Sequence, residues 1–200
     1  MERDNVVALI GVLKSEEYVE TVNGMRFKGE KLRVETERKS GAKDEAIVLA
    51  ETETVREALR VGEAVVIVGA MQTYKNGQTG KVLVYVLAEE VCPIEGEHWE
   101  YENEVRLTGS LGQDITYRET PYGKHITDMF IKVDCIKKPV KCFIPCISWG
   151  RYAKVAANMA EGDEIAIKGR LQSREYIKVL PDVTKETRKC YEVSAYEIEE

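Results

Sequence analysis

Apolar residues alternate with polar or small ones along much of this chain, and the alternating segments occur twice. Asn5-Val-Val-Ala-Leu-Ile-Gly-Val-Leu13 returns as Asn103-Glu-Val-Arg-Leu-Thr-Gly-Ser-Leu111, with Asn, Val, Leu, Gly and Leu shared at every second position. A period of two marks a strand with one buried face, and a glycine inside it suits a bulge or a tight bend. Gly62-Glu-Ala-Val-Val-Ile-Val-Gly-Ala-Met-Gln-Thr73 likewise returns as Gly162-Asp-Glu-Ile-Ala-Ile-Lys-Gly-Arg-Leu-Gln-Ser173. Gly24 to Val34 and Gly123 to Val133 each read as a turn leading into a strand, and Val84–Val91 and Tyr191–Ile198 close the two copies. The offset between copies drifts from 98 to 107 residues, which puts the length differences in loops.

One segment breaks the pattern. Tyr152, Val155, Ala156 and Met159 follow helical spacing, with Arg151, Lys154 and Asn158 on the other side and Gly162 as a stop. A shorter counterpart, Thr54–Arg60, is the expected helix of the first copy. Each copy then reads strand, turn, strand, strand, helix, strand, strand. Five strands with a helix between the third and fourth is the order of an OB barrel. The expected fold is therefore all-β with one short helix per domain: two tandem five-stranded OB-fold Greek-key barrels. Residues 1–91 form the first domain, and 92–102, acidic and carrying Pro93 and Gly96, form a linker. Residues 103–200 form the second domain.

The chain of 200 residues carries a net charge of −6, which argues at first sight against a polyanionic partner. The distribution alters that picture. Residues 103–200 hold 16 Lys and Arg against 15 Asp and Glu, whereas residues 1–102 hold 13 against 20. Only the second domain is plausible as a polyanion binder. The five cysteines exclude a complete disulfide framework and are expected to be reduced, half-buried thiols in a cytoplasmic protein. No apolar run is long enough to span a bilayer, and the N-terminus lacks the layout of a signal peptide. His98 and His125 stand apart, and Cys142 and Cys146, four residues apart on a strand, are too distant to share an ion, so no metal or cofactor is expected. No P-loop, zinc-protease or nucleophile-elbow motif is present, and the reading is not an enzyme.

The informative block is Phe143-Ile-Pro-Cys-Ile-Ser-Trp-Gly-Arg-Tyr-Ala-Lys154. Alternation sends Ile144, Cys146 and Ser148 into the barrel and turns Phe143, Pro145, Ile147 and Trp149 outward. Phe143 and Trp149 then lie roughly 20 Å apart along the strand, and Tyr176, on the hairpin after Arg170–Arg174, can add a third ring. Bases stack on such rings for about 1–3 kcal/mol each while cations follow the phosphates, with no base edge read. Tyr122, beside Gly123, is expected to pack its turn. The run Lys137-Lys138-Pro-Val-Lys141 is either a solvated loop or part of a grip on nucleic acid.

Together with Asn103–Leu111, Thr120-Pro-Tyr-Gly-Lys124 and Gly169-Arg-Leu-Gln-Ser-Arg-Glu-Tyr176, this block resembles the bacterial single-stranded DNA-binding protein (SSB) family over nearly all of residues 103–200. The resemblance implies base stacking on Phe143, Trp149 and Tyr176 and a backbone contact from Arg151. Lys154, Arg170, Arg174, Lys124, Lys132 and Lys178 join the candidate nucleic-acid-binding set on charge and position. It further implies sequence-independent single-stranded DNA binding in replication, recombination or repair, and a homodimer supplying four OB folds. The first domain departs from the family. Ala46-Ile-Val-Leu-Ala-Glu-Thr-Glu-Thr54 carries no matching rings and would repel phosphates, so that domain reads as structural or as an assembly site. A loop Trp common in the family has no match within Asp134–Lys141, and the chain stops at Tyr196-Glu-Ile-Glu-Glu200 without an acidic recruitment tail. A protein-interaction scaffold and a single-stranded RNA binder remain the competing readings.

Overall fold

The computed structural model describes residues 4–55, 57–136, 139–179 and 183–199. Lys137, Lys138 and the side chain of Lys178 lie outside the described residues. The first copy folds as β1 (Asn5–Val22), β2 (Met25–Glu37), β3 (Lys43–Glu51), β4 (Ala64–Lys75) and β5 (Val82–Pro93). The second folds as β6 (Glu102–Leu111), β7 (Thr116–Glu119), β8 (His125–Asp134), β9 (Lys141–Trp149), helix α1 (Arg151–Ala157), β10 (Glu164–Val179) and β11 (Lys185–Glu199). In the first barrel, β1 pairs with β2, β2 with β3, β3 in parallel with β5, β5 with β4, and β4 again with β1. The second repeats that circuit as β6-β8-β9-β11-β10, with its parallel pair at β9 and β11. β7 is an addition of four residues on the edge of β8. These are two OB folds.

The repeated residues close these barrels. Val7, Leu9 and Leu13 are fully buried, as are their counterparts Val105, Leu107 and Leu111. A Cβ on Gly11 would lie 2.4 Å from the Glu35 carbonyl oxygen, and one on Gly109 would lie 2.3 Å from that of Lys132. Each first strand bends over its neighbour at a point where no side chain fits. The repeated asparagine has a different task. Asn5 Nδ2 donates to the Met71 carbonyl at 2.9 Å and its Oδ1 accepts from Met71 N at 2.9 Å, and Asn103 makes the same pair of bonds with Leu171 at 2.7 and 2.8 Å. The β1–β4 and β6–β10 ladders end at Val7–Gly69 and Val105–Gly169. The amide side chain takes the place of the missing ladder partner.

On their other edges, overlapping those ladders, β1 and β6 face each other. They pair antiparallel with Val7 opposite Val105, Asn5 opposite Leu107 and Leu9 opposite Asn103. The register is symmetric, with the Asn5–Leu107 pair repeated as Asn103–Leu9, so a pseudo-two-fold axis passes between Val7 and Val105. One apolar core runs through both barrels. The symmetry extends to the flanks, where Phe143 N donates to Thr73 Oγ1 at 3.2 Å and Glu45 N donates to Ser173 Oγ at 2.9 Å.

Two expectations are corrected. Among the described residues the only helix is α1, and the segment expected to be helical at Thr54–Arg60, of which Arg56 lies outside the described residues, is irregular in the rest. Tertiary contacts hold it otherwise: Val55 bridges Val91, and Leu59 drops into the barrel core. The cysteines are not all thiols either: Cys135 and Cys142 form a disulfide across the neck of the β8–β9 loop, with Cα atoms 5.5 Å apart. Cys142 pairs with Val133 at the end of the ladder and Cys135 N donates to the Val140 carbonyl at 3.0 Å, so the turn brings the two sulfurs together. Cys92, Cys146 and Cys190 are thiols.

Asn103→Ala leaves the Leu171 N–H and C=O without their partner and is expected to cost about 1–3 kcal/mol, read as a lower urea midpoint at unchanged slope. Reduction of the Cys135–Cys142 bridge releases a short loop and is expected to lower the unfolding free energy by about 2 kcal/mol, measured by denaturation with and without dithiothreitol.

Candidate nucleic-acid interface

The outer wall of the second barrel at β8 and β9 is where the sequence places its rings. Inward residues Cys142, Ile144, Cys146 and Ser148 are buried, whereas Phe143 and Trp149 are 47% and 41% exposed. Ile147, expected outward with them, is covered at a point where β9 gains β11 as a second neighbour opposite buried Ser194. Lys132 faces Phe143 across the ladder, its Nζ 5.9 Å from the ring centroid and 3.1 Å from Glu161 Oε1. Phe130 stands opposite Pro145 and is 40% exposed. Sequence reading missed it. The signal was present, because Met129, Ile131 and Val133 are buried and alternation turns Phe130 to the same side as Lys132.

The far end of the wall is set by Gly150. Its φ of 59° and ψ of −123° belong to a region that glycine alone visits freely, and this carries the chain straight from Trp149 into α1. Arg151 opens the helix exposed, its guanidinium 4.5 Å over the Tyr152 ring, and Lys154 is exposed one turn nearer the helix end. Lys124 is exposed in the β7–β8 turn. Tyr122 beside it does not pack that turn as expected; it stands 91% exposed, since the turn is closed by backbone bonds between Thr120 and Lys124 instead.

The β10–β11 hairpin holds the remaining candidates. Tyr176 is 38% exposed opposite Arg188, which bonds Glu186. Arg174 is drawn onto buried Glu192, Nε to Oε1 at 3.1 Å, and so is already committed. Arg170 does not reach the wall. It lies in a separate pocket beside Arg38, Tyr101 and Tyr196, and its Nε is buried without a partner among the described residues. Burial and the adjacent Arg38 charge both hold its pKa below the ordinary guanidinium value.

The equivalent wall of the first barrel is closed. Glu45 stands where Phe143 does in the repeat, accepting from Tyr191 Oη at 2.8 Å and pairing with Lys189 and Arg33. Burial, then Glu45, pushes the Tyr191 phenol up. Val22 and Met25, at the β1–β2 turn, pack with Ile47, Leu49, Tyr85 and Leu87 in a second apolar cluster. Between the two walls runs a groove of about 860 Å³ with both barrels in its lining, including Phe27 and Tyr74 from the first and Phe130, Lys132 and Phe143 from the second.

No helix among the described residues is long and apolar enough to cross a membrane. No curated protein matches the sequence. Among solved structures, the wild-type single-stranded DNA-binding protein of Thermus aquaticus is similar over 100% of this chain and 93% of its own, at 22% identity and a TM-score of 0.74. A deletion mutant of the same protein is similar over 100% and 95%, at 24% identity and a TM-score of 0.74. Residues 102–199 match the single-strand binding protein family. The match covers the second barrel, built around the wall that carries Phe143 and Trp149, and it is this barrel that is similar to the single-strand binding protein family.

Proposed function

We propose that this protein binds single-stranded DNA without regard to sequence, in replication, recombination or repair, and catalyses no reaction on it. Bases stack on Phe143, Trp149 and Tyr176, with Phe130 as a further ring, while Lys132, Arg151, Lys154 and Lys124 lie along the phosphates. The observation that carries this reading is the openness of aromatic rings beside cations on one barrel wall. A ring held for structural reasons alone would gain by burial; these stay in contact with water, where a base can cover them. Arg170 is left out of the DNA contact, since it lies in another pocket. Lys178 stays in the set on charge alone. The first barrel, with Glu45 and Glu51 where the second has Phe143 and Trp149, serves to hold the second in place.

The test is titration of tryptophan fluorescence with oligo-dT, oligo-rU and duplex DNA at several salt concentrations. Trp99 packs edge-on against Tyr101 with ring centroids 4.8 Å apart, so a Trp99→Phe background isolates the signal of Trp149. Quenching by oligo-dT is expected, with little response to duplex and a log K against log salt slope near −0.7 per phosphate contacted. Trp149→Ala and Phe143→Ala should each weaken binding by about 1–3 kcal/mol with an unchanged melting temperature. Equal affinity for duplex, or unfolding of either variant, would overturn the assignment.

Four OB folds around one strand need two of these chains, and a homodimer is part of the proposal. Sedimentation equilibrium at micromolar concentration is expected to give twice the 22.6 kDa chain mass; a strict monomer would reject the dimer.

A further inference from the structure

The groove between the barrels is not accounted for by a platform confined to the second one. Its second-barrel side is Phe130, Lys132 and Phe143, so it opens directly off the proposed stacking wall. Its first-barrel side brings Phe27 and Tyr74 beside Arg26 and Lys75. Arg26 and Lys75 are exposed and form no ion pair among the described residues, unlike Lys132, which is held by Glu161, and Lys141, which is held by Asp134. The acidic lining is limited to Asp114 and Glu161, and Glu161 is already neutralised by Lys132. The groove therefore has rings on both banks and two uncommitted cations on the bank whose domain is otherwise acidic.

The groove is also held in shape. Thr73, two residues before Lys75, accepts the Phe143 backbone N–H at 3.2 Å, which fixes the two banks against each other. Tyr85 and Leu87 form its apolar floor and are buried in the first barrel's outer cluster. A volume of about 860 Å³ lies in the range that accepts small organic ligands and is enough for a short run of nucleotides.

We infer that single-stranded DNA leaving Phe143 continues into this groove, where Arg26 and Lys75 take its phosphates and Phe27 and Tyr74 meet its bases. The occupant follows from continuity and charge: Phe143 and Lys132 belong to both surfaces, and among the described lining residues without an ion pair the two cations, Arg26 and Lys75, outnumber the one carboxylate, Asp114. The first barrel thus contacts the strand at its border with the second, although its own wall is filled. This inference rests on the stacking platform proposed above.

Length dependence separates the two. Arg26→Ala/Lys75→Ala is compared with the unaltered protein on an oligo-dT of about 8 nucleotides, within the reach of one OB fold, and on one roughly four times as long. The double variant is expected to bind the short strand as before. It should lose about tenfold on the long one, with the salt slope shallower by about 1.4, the share of two phosphate contacts on a single strand. Unchanged affinity and slope on the long strand would overturn the groove path, and so would an equal loss on both lengths, which would signal only a change in overall field. Trp149→Ala in the same assay tests the platform separately. If it keeps full affinity on both lengths the stacking reading fails, whatever the double variant does.

Discussion

The antiparallel pairing of β1 with β6, flanked by the asparagine bonds that finish the ladders beside it, is the constraint on which the rest of this molecule depends. Each strand leaves its own barrel at Val7 or Val105 and would there abandon a length of β4 or β10 backbone. Asn5 and Asn103 supply both lost bonds from one side chain. Each strand pairs with its own barrel on one edge and with the other barrel on the opposite edge, the core becomes continuous, and the barrels cannot swing apart. The wall at Phe143 and the groove at Tyr74 exist as one surface because this seam is rigid.

The two halves share a backbone plan and differ in what they place upon it. At equivalent positions the second barrel has Phe143 and Trp149 and the first has Glu45 and Glu51. Glu45 is absorbed by Tyr191, Lys189 and Arg33, and a turn of apolar residues covers Ile47 and Leu49. A closed wall can carry strain and hold its neighbour; an open one can bind. Duplication followed by unlike surface chemistry separates those tasks within one chain while leaving the close-packed glycines untouched.

Much of this was legible in the sequence because the strands repeat. The recurring Asn, Val, Leu and Gly positions located the barrels, and their spacing reflects real contacts: apolar residues facing one core, glycines where strands cross, asparagines where ladders end. Alternation also turned Phe143 and Trp149 to the right side of β9. What it could not give was anything decided by a distant neighbour. Arg170 sits beside Arg38 because the two barrels meet there, and Ile147 is covered because β11 arrives beside it. The disulfide depends on the pitch of a loop, and after Thr54 the contacts of Val55 with Val91 and of Leu59 with the core take the place of a helix. Phe130 is a different case, since the same alternation pointed to it.

The symmetric register of the seam has a consequence for how such a chain can be divided. A β6 separated from β1 would present an unpaired edge, and an exposed edge recruits whatever strand fits it. The strand that fits best is another copy of itself, because the existing pairing is already symmetric about the Val7–Val105 centre, Asn5 facing Leu107 as Asn103 faces Leu9. A liberated second half would accordingly be adhesive in a defined way, joining its twin antiparallel about a two-fold axis. Covalent tandem arrangement hides that stickiness inside the polypeptide, and leaves it no reason to show on the outside.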